Sequence, residues 1–168
     1  VKGLLDFARQ TKPQKQRLDL NKVAADVITL VRNQASFQNI TIHTDLDSGI
    51  PTVLADADQM RQVALNIILN AADAMPQGGE IRVRTLYEPE TRQVKMRISD
   101  TGPGIPAEIQ DKLFEPFFTT KKTGTGLGLA IAYGIMDRHK GSLKIESALG
   151  HGTTVIVILP TDITSIDD

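Results

Sequence analysis

Three short stretches of this chain carry residue types that can do chemistry together. Asn66 and Asn70 stand four apart inside an apolar run. Asp100-Thr101-Gly102-Pro103-Gly104-Ile105 is a glycine-rich stretch that opens on a carboxylate, and Gly124-Thr125-Gly126-Leu127-Gly128-Leu129 is a second one. Between the two glycine stretches lies Phe114-Glu115-Pro116-Phe117-Phe118-Thr119-Thr120-Lys121, followed by Lys122. A carboxylate, two loops that expose backbone and a pair of amides are the parts needed to hold a purine, its phosphates and a metal. The pattern is that of a nucleotide-binding module.

On a helix Asn66 and Asn70 are neighbours on one face. A buried amide left unpaired costs roughly 1–3 kcal/mol, so each needs a partner. That partner is either the backbone of a neighbouring loop or a magnesium ion, whose shell an amide oxygen completes beside phosphate oxygens. Asp100 is acceptor-only. It either bonds its own turn or accepts a hydrogen bond from the exocyclic amine of adenine, which guanine's carbonyl would not offer. Gly102 and Gly104 allow the backbone to pass close beneath a flat base.

The second glycine stretch leads directly into a helix, so backbone amides and a helix amino end converge on one point, an arrangement that binds phosphate. It has neither the Gly-Lys-Ser/Thr of a P-loop nor the spacing of a dinucleotide fold. Residues 113–124 lack periodicity, which in a compact domain marks a functional or mobile segment. Phe114, Phe117 and Phe118 can anchor such a lid, while Thr119, Thr120, Lys121 and Lys122 reach solvent or phosphate. The histidines share no metal-ligand spacing: His43 falls on a strand, His139 at a helix carboxyl end where the dipole favours its charge, and His151 in a turn.

The elements that must position these groups follow from the period of the apolar residues. Residues 1–11 read as the tail of a helix of a preceding domain, and 12–16 as a polar linker. Asp19 or Asn21 caps a helix to about Ala35 that buries Val23, Val27, Leu30 and Val31. Residues 40–46 alternate as a strand. Asp56 or Asp58 caps a long helix to Ala74, which Pro76 and Gly78-Gly79 terminate. Residues 80–87 and 94–99 form a hairpin, 106–112 a short helix with proline in its first turn, and 127–138 a further helix. Residues 142–146 and 153–159 close the sheet around Gly150-His151-Gly152. The expected fold is α+β, a two-layer sandwich with a mixed, mostly antiparallel sheet and helices on one face. Residues 17–160 form the domain, and 161–168 an acidic, frayed tail.

Composition agrees. The chain has 168 residues, 19 basic against 20 acidic side chains and a formal charge of −1, so no nucleic-acid footprint appears. It has no cysteine, hence no disulfide and no thiolate metal site. No apolar run is long enough to span a bilayer.

In this order, Asn66-x-x-x-Asn70-Ala71, Asp100-x-Gly102-x-Gly104, Phe114-x-Pro116-Phe117 and Gly124-Thr125-Gly126-Leu127-Gly128-Leu129 resemble the N box, first glycine box, F box and second glycine box of sensor histidine kinases. The phrasing is similar to the nitrogen-regulation type. The resemblance implies the Bergerat (GHKL) ATP-binding sandwich shared with gyrase, MutL and related chaperones. It implies that Asn70 holds magnesium, Asp100 reads adenine, Gly102 and Gly104 frame the base, and Gly126 to Leu129 hold phosphates, with Thr153 supporting the aspartate. The implied ATP-binding set also includes Asn66, Asp73, Ala74, Ile105, Phe114, Thr119, Thr120, Lys121, Lys122, Gly124 and Thr125, along with Leu127 and Gly128. Asn66 and Asn70 are its catalytic pair.

Two departures qualify the match. Many sensor kinases carry a basic residue three positions after the magnesium asparagine, often with an aromatic beside it; here those positions are Asp73 and Ala74. Phosphate neutralisation then falls to Lys121 or Lys122. The second departure is the phosphoacceptor. An acceptor histidine in this family is followed by an acidic residue and soon by Asn-Pro, whereas His43, His139 and His151 precede Thr44, Lys140 and Gly152. The implied function is therefore that of an ATP-binding catalytic domain, which transfers the γ-phosphoryl to a histidine on a separate dimerisation domain for relay to a response regulator. The fragment is expected to be a cytoplasmic monomer cut from a homodimer that is either soluble or membrane-associated. The competing class is a nucleotide-gated ATPase switch. Asn66 argues against it, because hydrolytic relatives place a water-activating glutamate there.

Overall fold

The computed structural model describes residues 11–118 and 126–161. In chain order these form β1 (Gln16–Leu18), α1 (Leu20–Val31), a 3₁₀ turn (Ala35–Phe37), β2 (Ile40–Leu46), β3 (Val53–Ala55) and α2 (Ala57–Asp73). There follow β4 (Gly79–Glu88), β5 (Gln93–Asp100), α3 (Ala107–Gln110), a second 3₁₀ turn (Asp111–Phe114), α4 (Gly128–Arg138), β6 (Ser142–Ser147) and β7 (Thr153–Pro160).

The main sheet has the order β2-β4-β5-β7-β6, with β2 parallel to β4 and every other pairing antiparallel. Period-two alternation sets its faces. Ile81, Val83, Val94, Met96 and Ile98 are buried, while Arg82, Arg84, Lys95 and Arg97 point the other way. The buried face meets α1, α2 and α4, whose apolar stripes (Val23 and Val27; Met60, Val63 and Ile67; Ala132, Ile135 and Met136) complete one core. This is the expected mixed, mostly antiparallel sandwich. Ile156 and Ile158 of β7 are buried on the opposite face, where Lys95, Arg97 and Lys144 are their cross-strand neighbours and can lay aliphatic stems over them.

Capping fixes where the helices begin. Asp19, not Asn21, caps α1, its Oδ1 accepting from the Asn21 N–H at 2.9 Å. Asp56, not Asp58, caps α2, accepting from the Gln59 N–H at 3.1 Å, while Asp58 pairs with Arg61.

The sequence-based expectations need correction in several places. α1 stops at Val31 rather than Ala35, and Leu30 is 58% exposed. At 100° per residue Leu30 lies about 90° from the centre of the stripe that Leu20, Ala24, Val27 and Val31 define. Gln16 is not linker but the first residue of β1, which pairs antiparallel with β3 in a two-stranded sheet that the sequence did not announce. Thr161 is not frayed either. It is buried, and its N–H donates to the Arg92 carbonyl. Pro106 precedes the short helix, which tightens to 3₁₀ from Asp111.

Candidate functional site

β5, β7 and β6 end side by side, and their register builds the floor of a cavity. Asp100 pairs with Thr153 and Thr153 with Ser147, giving a polar row across three strands. Two residues inward, Ile98 pairs with Val155 and Val155 with Ile145, giving an apolar row. Because side chains two apart share a face, both rows lie on the same face of the sheet. The cavity is about 420 Å³. Its lining includes Ile98, Val155 and Ile145 below, Ile67, Asn70, Ala71, Asp73 and Ala74 from α2, and the loop Pro103–Pro106 at the side. An apolar slot with a few polar groups at one end is the usual form of a small-molecule site.

Of the residues expected from sequence, Asn70, Asp73, Ala74, Asp100, Gly104, Ile105, Leu129 and Thr153 line this cavity. Reasoning from short motifs missed its apolar floor. Ile98, Ile145 and Val155 were legible as buried strand positions, yet only the cross-strand register shows that they form one row beneath Asp100 and Thr153.

Asp100 Oδ1 accepts the N–H of Gly102 at 2.9 Å, so the carboxylate does bond its own turn. Burial pushes its pKa above the ordinary aspartate value, against the backbone N–H groups of Gly102 and Thr153, which pull it down. Gly104 is required for a reason internal to the fold. At φ +79° its missing Cβ makes room for the carbonyl oxygen of Ala148 in the β6–β7 turn.

Other expected residues lie outside the cavity wall. Asn66 donates from Nδ2 to the carbonyl of Gly128 at 3.0 Å, so it is paired with backbone and ties α2 to the start of α4. Phe114 packs its ring on Tyr133, with centroids 5.2 Å apart. Gly126, at φ +71°, accepts from the Phe117 N–H at 3.0 Å, and a side chain there would collide with Phe117. Leu127 is buried. Gly102 serves the Asp100 turn. Thr119, Thr120, Lys121, Lys122, Gly124 and Thr125 lie outside the described residues, so the expected phosphate contacts of the lid do too.

His139 departs from expectation. It is only 2% exposed, its Nε2 accepts the N–H of Asp56 at 3.0 Å, and its Nδ1 lies 2.8 Å from the Ile135 carbonyl. Desolvation lowers its pKa. Because its Nε2 accepts an N–H and so carries no proton, it is a neutral structural imidazole, and burial opposes the charge that a helix end would favour. Among the described residues no three of His, Cys, Asp and Glu cluster as metal ligands. None of the described helices is long and apolar enough to cross a membrane.

Residues 55–163 match the family model of histidine kinase-, DNA gyrase B- and HSP90-like ATPases. The chain belongs to this family. Within it, the likeness is to histidine-kinase catalytic domains. The chain is 36% identical over 95% of its length to the signal transduction histidine-protein kinase AtoS of Escherichia coli strain K12, but spans only 26% of that protein. Among solved structures, the catalytic domain of histidine kinase ThkA superposes with a TM-score of 0.78 at 32% identity, covering 89% of this chain and 97% of that one. Full-length ShkA in complex with AMPPNP gives a TM-score of 0.83 at 27% identity, over 95% of this chain and 34% of the other. ThkA in complex with the response regulator protein TrrA gives 0.80 at 28% identity, over 95% and 46%. This histidine-kinase catalytic domain thus accounts for about a quarter of a protein such as AtoS.

Proposed function

We propose that the cavity between α2 and the β5–β7–β6 end of the sheet binds ATP, and that the domain delivers its γ-phosphoryl to a histidine on a separate dimerisation domain of the parent protein. One observation carries the reading: the Asp100–Thr153 row closes an apolar slot large enough for a purine, with Asn70 facing it from α2. The AMPPNP complex of ShkA supports it. Asp100 accepts from the adenine amine, while Ile98, Ile145 and Val155 contact the ring face.

The donor set at the phosphate end fits magnesium. One amide oxygen, from Asn70, with no group of three His, Cys, Asp or Glu ligands among the described residues, leaves most positions of a hard cation to phosphate and water oxygens, as magnesium prefers. When bound, the ion neutralises phosphate charge. Asn66 holds the start of α4 in place through Gly128 and supplies no base. A histidine nitrogen is already nucleophilic, so the transfer needs positioning and charge neutralisation more than proton abstraction. The N–P bond forms as the bond from the γ-phosphorus to the bridging oxygen breaks, and ADP leaves. The ThkA–TrrA complex supports a response regulator as the next acceptor.

The test is incubation with γ-labelled ATP, with and without the phosphoacceptor hairpin of the parent protein added as a separate chain. Acid-labile label should appear on the hairpin only. Its rate should fall below that of the intact enzyme, because tethering supplies an effective concentration of about millimolar. Stable label on this chain, or multiple-turnover release of phosphate from it alone, would favour a serine kinase or an ATPase switch instead.

A further inference from the structure

The loop Pro103–Pro106 is fastened to the sheet through one side chain that itself lies outside the cavity wall. Ser147 Oγ accepts the N–H of Ile105 at 2.8 Å, donates to the Gly152 carbonyl at 3.0 Å and lies 2.8 Å from the Thr153 hydroxyl. Gln110 adds a second tie, its Nε2 donating to the carbonyls of Ile105 at 2.9 Å and Ser147 at 3.1 Å. The Gly150 N–H donates to Pro103 at 2.8 Å. Ile105 and Thr153 both line the cavity.

The protons at this junction can be assigned by counting. A serine hydroxyl has one proton and two lone pairs. The Gly152 carbonyl can only accept, so the Ser147 proton goes there. One lone pair takes the Ile105 N–H, and the other is left for Thr153, whose hydroxyl therefore donates. With its proton committed, Thr153 can offer a ligand only an acceptor. Asp100, its neighbour in the row, is acceptor-only as well. The Asp100–Thr153 pair then has a single sense: it suits an exocyclic amine, which brings two N–H donors, and opposes a carbonyl oxygen at the same ring position.

We infer that Ser147 is a positioning residue for purine recognition, which seats the Ile105 wall and fixes Thr153 as an acceptor, so that a 6-amino purine is preferred over a 6-oxo purine. The inference rests on the nucleotide reading of the cavity.

The test compares the 168-residue chain with Ser147→Ala and Ser147→Thr by calorimetric titration with ATP and with inosine triphosphate, alongside melting temperatures. Ser147→Ala leaves the Ile105 N–H without its acceptor and frees Thr153 to donate. ATP binding should weaken about tenfold, and the preference for ATP over inosine triphosphate should narrow by about threefold or more. Ser147→Thr keeps the hydroxyl and should restore both. A role in structure alone would weaken the two nucleotides equally, in step with a lower melting temperature, and that result overturns the proposal. So does an unchanged preference in Ser147→Ala, or a Ser147→Thr variant that behaves like it. Failure of the unsubstituted chain to bind ATP overturns the nucleotide reading itself, whereas ATP binding untouched by Ser147→Ala overturns only the role of Ser147.

Discussion

The imidazole of His139 accepts the backbone N–H of Asp56 at 3.0 Å, joining the carboxyl end of α4 to the amino end of α2. Its Nδ1, 2.8 Å from the Ile135 carbonyl, carries the proton, so both ring nitrogens are used in the neutral form. Asp56 meanwhile caps α2 through Oδ1 and accepts the Gln14 N–H through Oδ2 at 2.9 Å. The two helices that flank the cavity are thus fastened to each other, and to the segment before β1, around one histidine.

Stability should therefore depend on pH through His139. Desolvation lowers its folded pKa below the ordinary 6.5; Lys15 and Arg138 add to the lowering, and Asp56 opposes it. The unfolded chain takes up this proton near 6.5 and the folded chain only at lower pH, so the contribution is complete above that value and is lost as pH falls below it. The melting temperature of the unsubstituted chain should drop between about pH 7 and pH 5.5 by more than that of His139→Gln. Parallel curves for the two proteins would show that His139 does not carry the effect.

Asn66→Asp should destabilise the domain more than Asn66→Ala. The alanine loses one bond to Gly128, about 0.5–1.5 kcal/mol. The aspartate replaces a donor with a carboxylate oxygen that faces the Gly128 carbonyl, and should cost roughly 1–3 kcal/mol. Denaturant unfolding of both variants decides this, and an aspartate variant as stable as the alanine would mean that the 3.0 Å contact contributes little.

Most of this fold was legible because its strands carry clean alternation and its helices carry Asp caps: β4, β5, β6 and β7 and the span of α2 all follow from the residues. β1 and β3 were not legible, since three-residue strands offer too little periodicity, and their pairing spans tens of residues. The site shows the same division. Asp100, Asn70 and Gly104 stand out as chemistry in a sequence, whereas Ile145 and Ser147 gain meaning only from their register against β7. His139 was misread because a helix end predicts a favoured charge, while its burial, a tertiary property, decides otherwise.

Asn70→Ala should separate metal-dependent from metal-independent binding. Asn70 lines the cavity from α2, and its amide oxygen is the group proposed to meet magnesium. ATP affinity measured with magnesium should fall, while ADP affinity in excess chelator should change little. Equal losses under both conditions would assign Asn70 to packing rather than to the ion.

Asp100→Asn should act in opposite directions on binding and stability. The folded pKa of Asp100 lies above the ordinary 3.8, with desolvation as the leading cause. The folded state therefore holds this proton more tightly than the unfolded chain. Stability falls as pH rises from 3.8 through the folded value, above which the whole penalty is present. The neutral asparagine removes that penalty and keeps an oxygen for the Gly102 N–H, so the melting temperature of the empty domain at pH 7 should hold or rise. ATP binding should weaken roughly 10- to 100-fold, from loss of a charge-assisted bond of about 1.5–3 kcal/mol. The affinity of the unsubstituted chain should also decline on acidification through the raised pKa, a limb that Asp100→Asn should lack. Calorimetric titration across pH, beside thermal unfolding without nucleotide, measures both effects. A variant that melts lower and binds ATP as tightly as its parent would place Asp100 in the structure and not in adenine recognition.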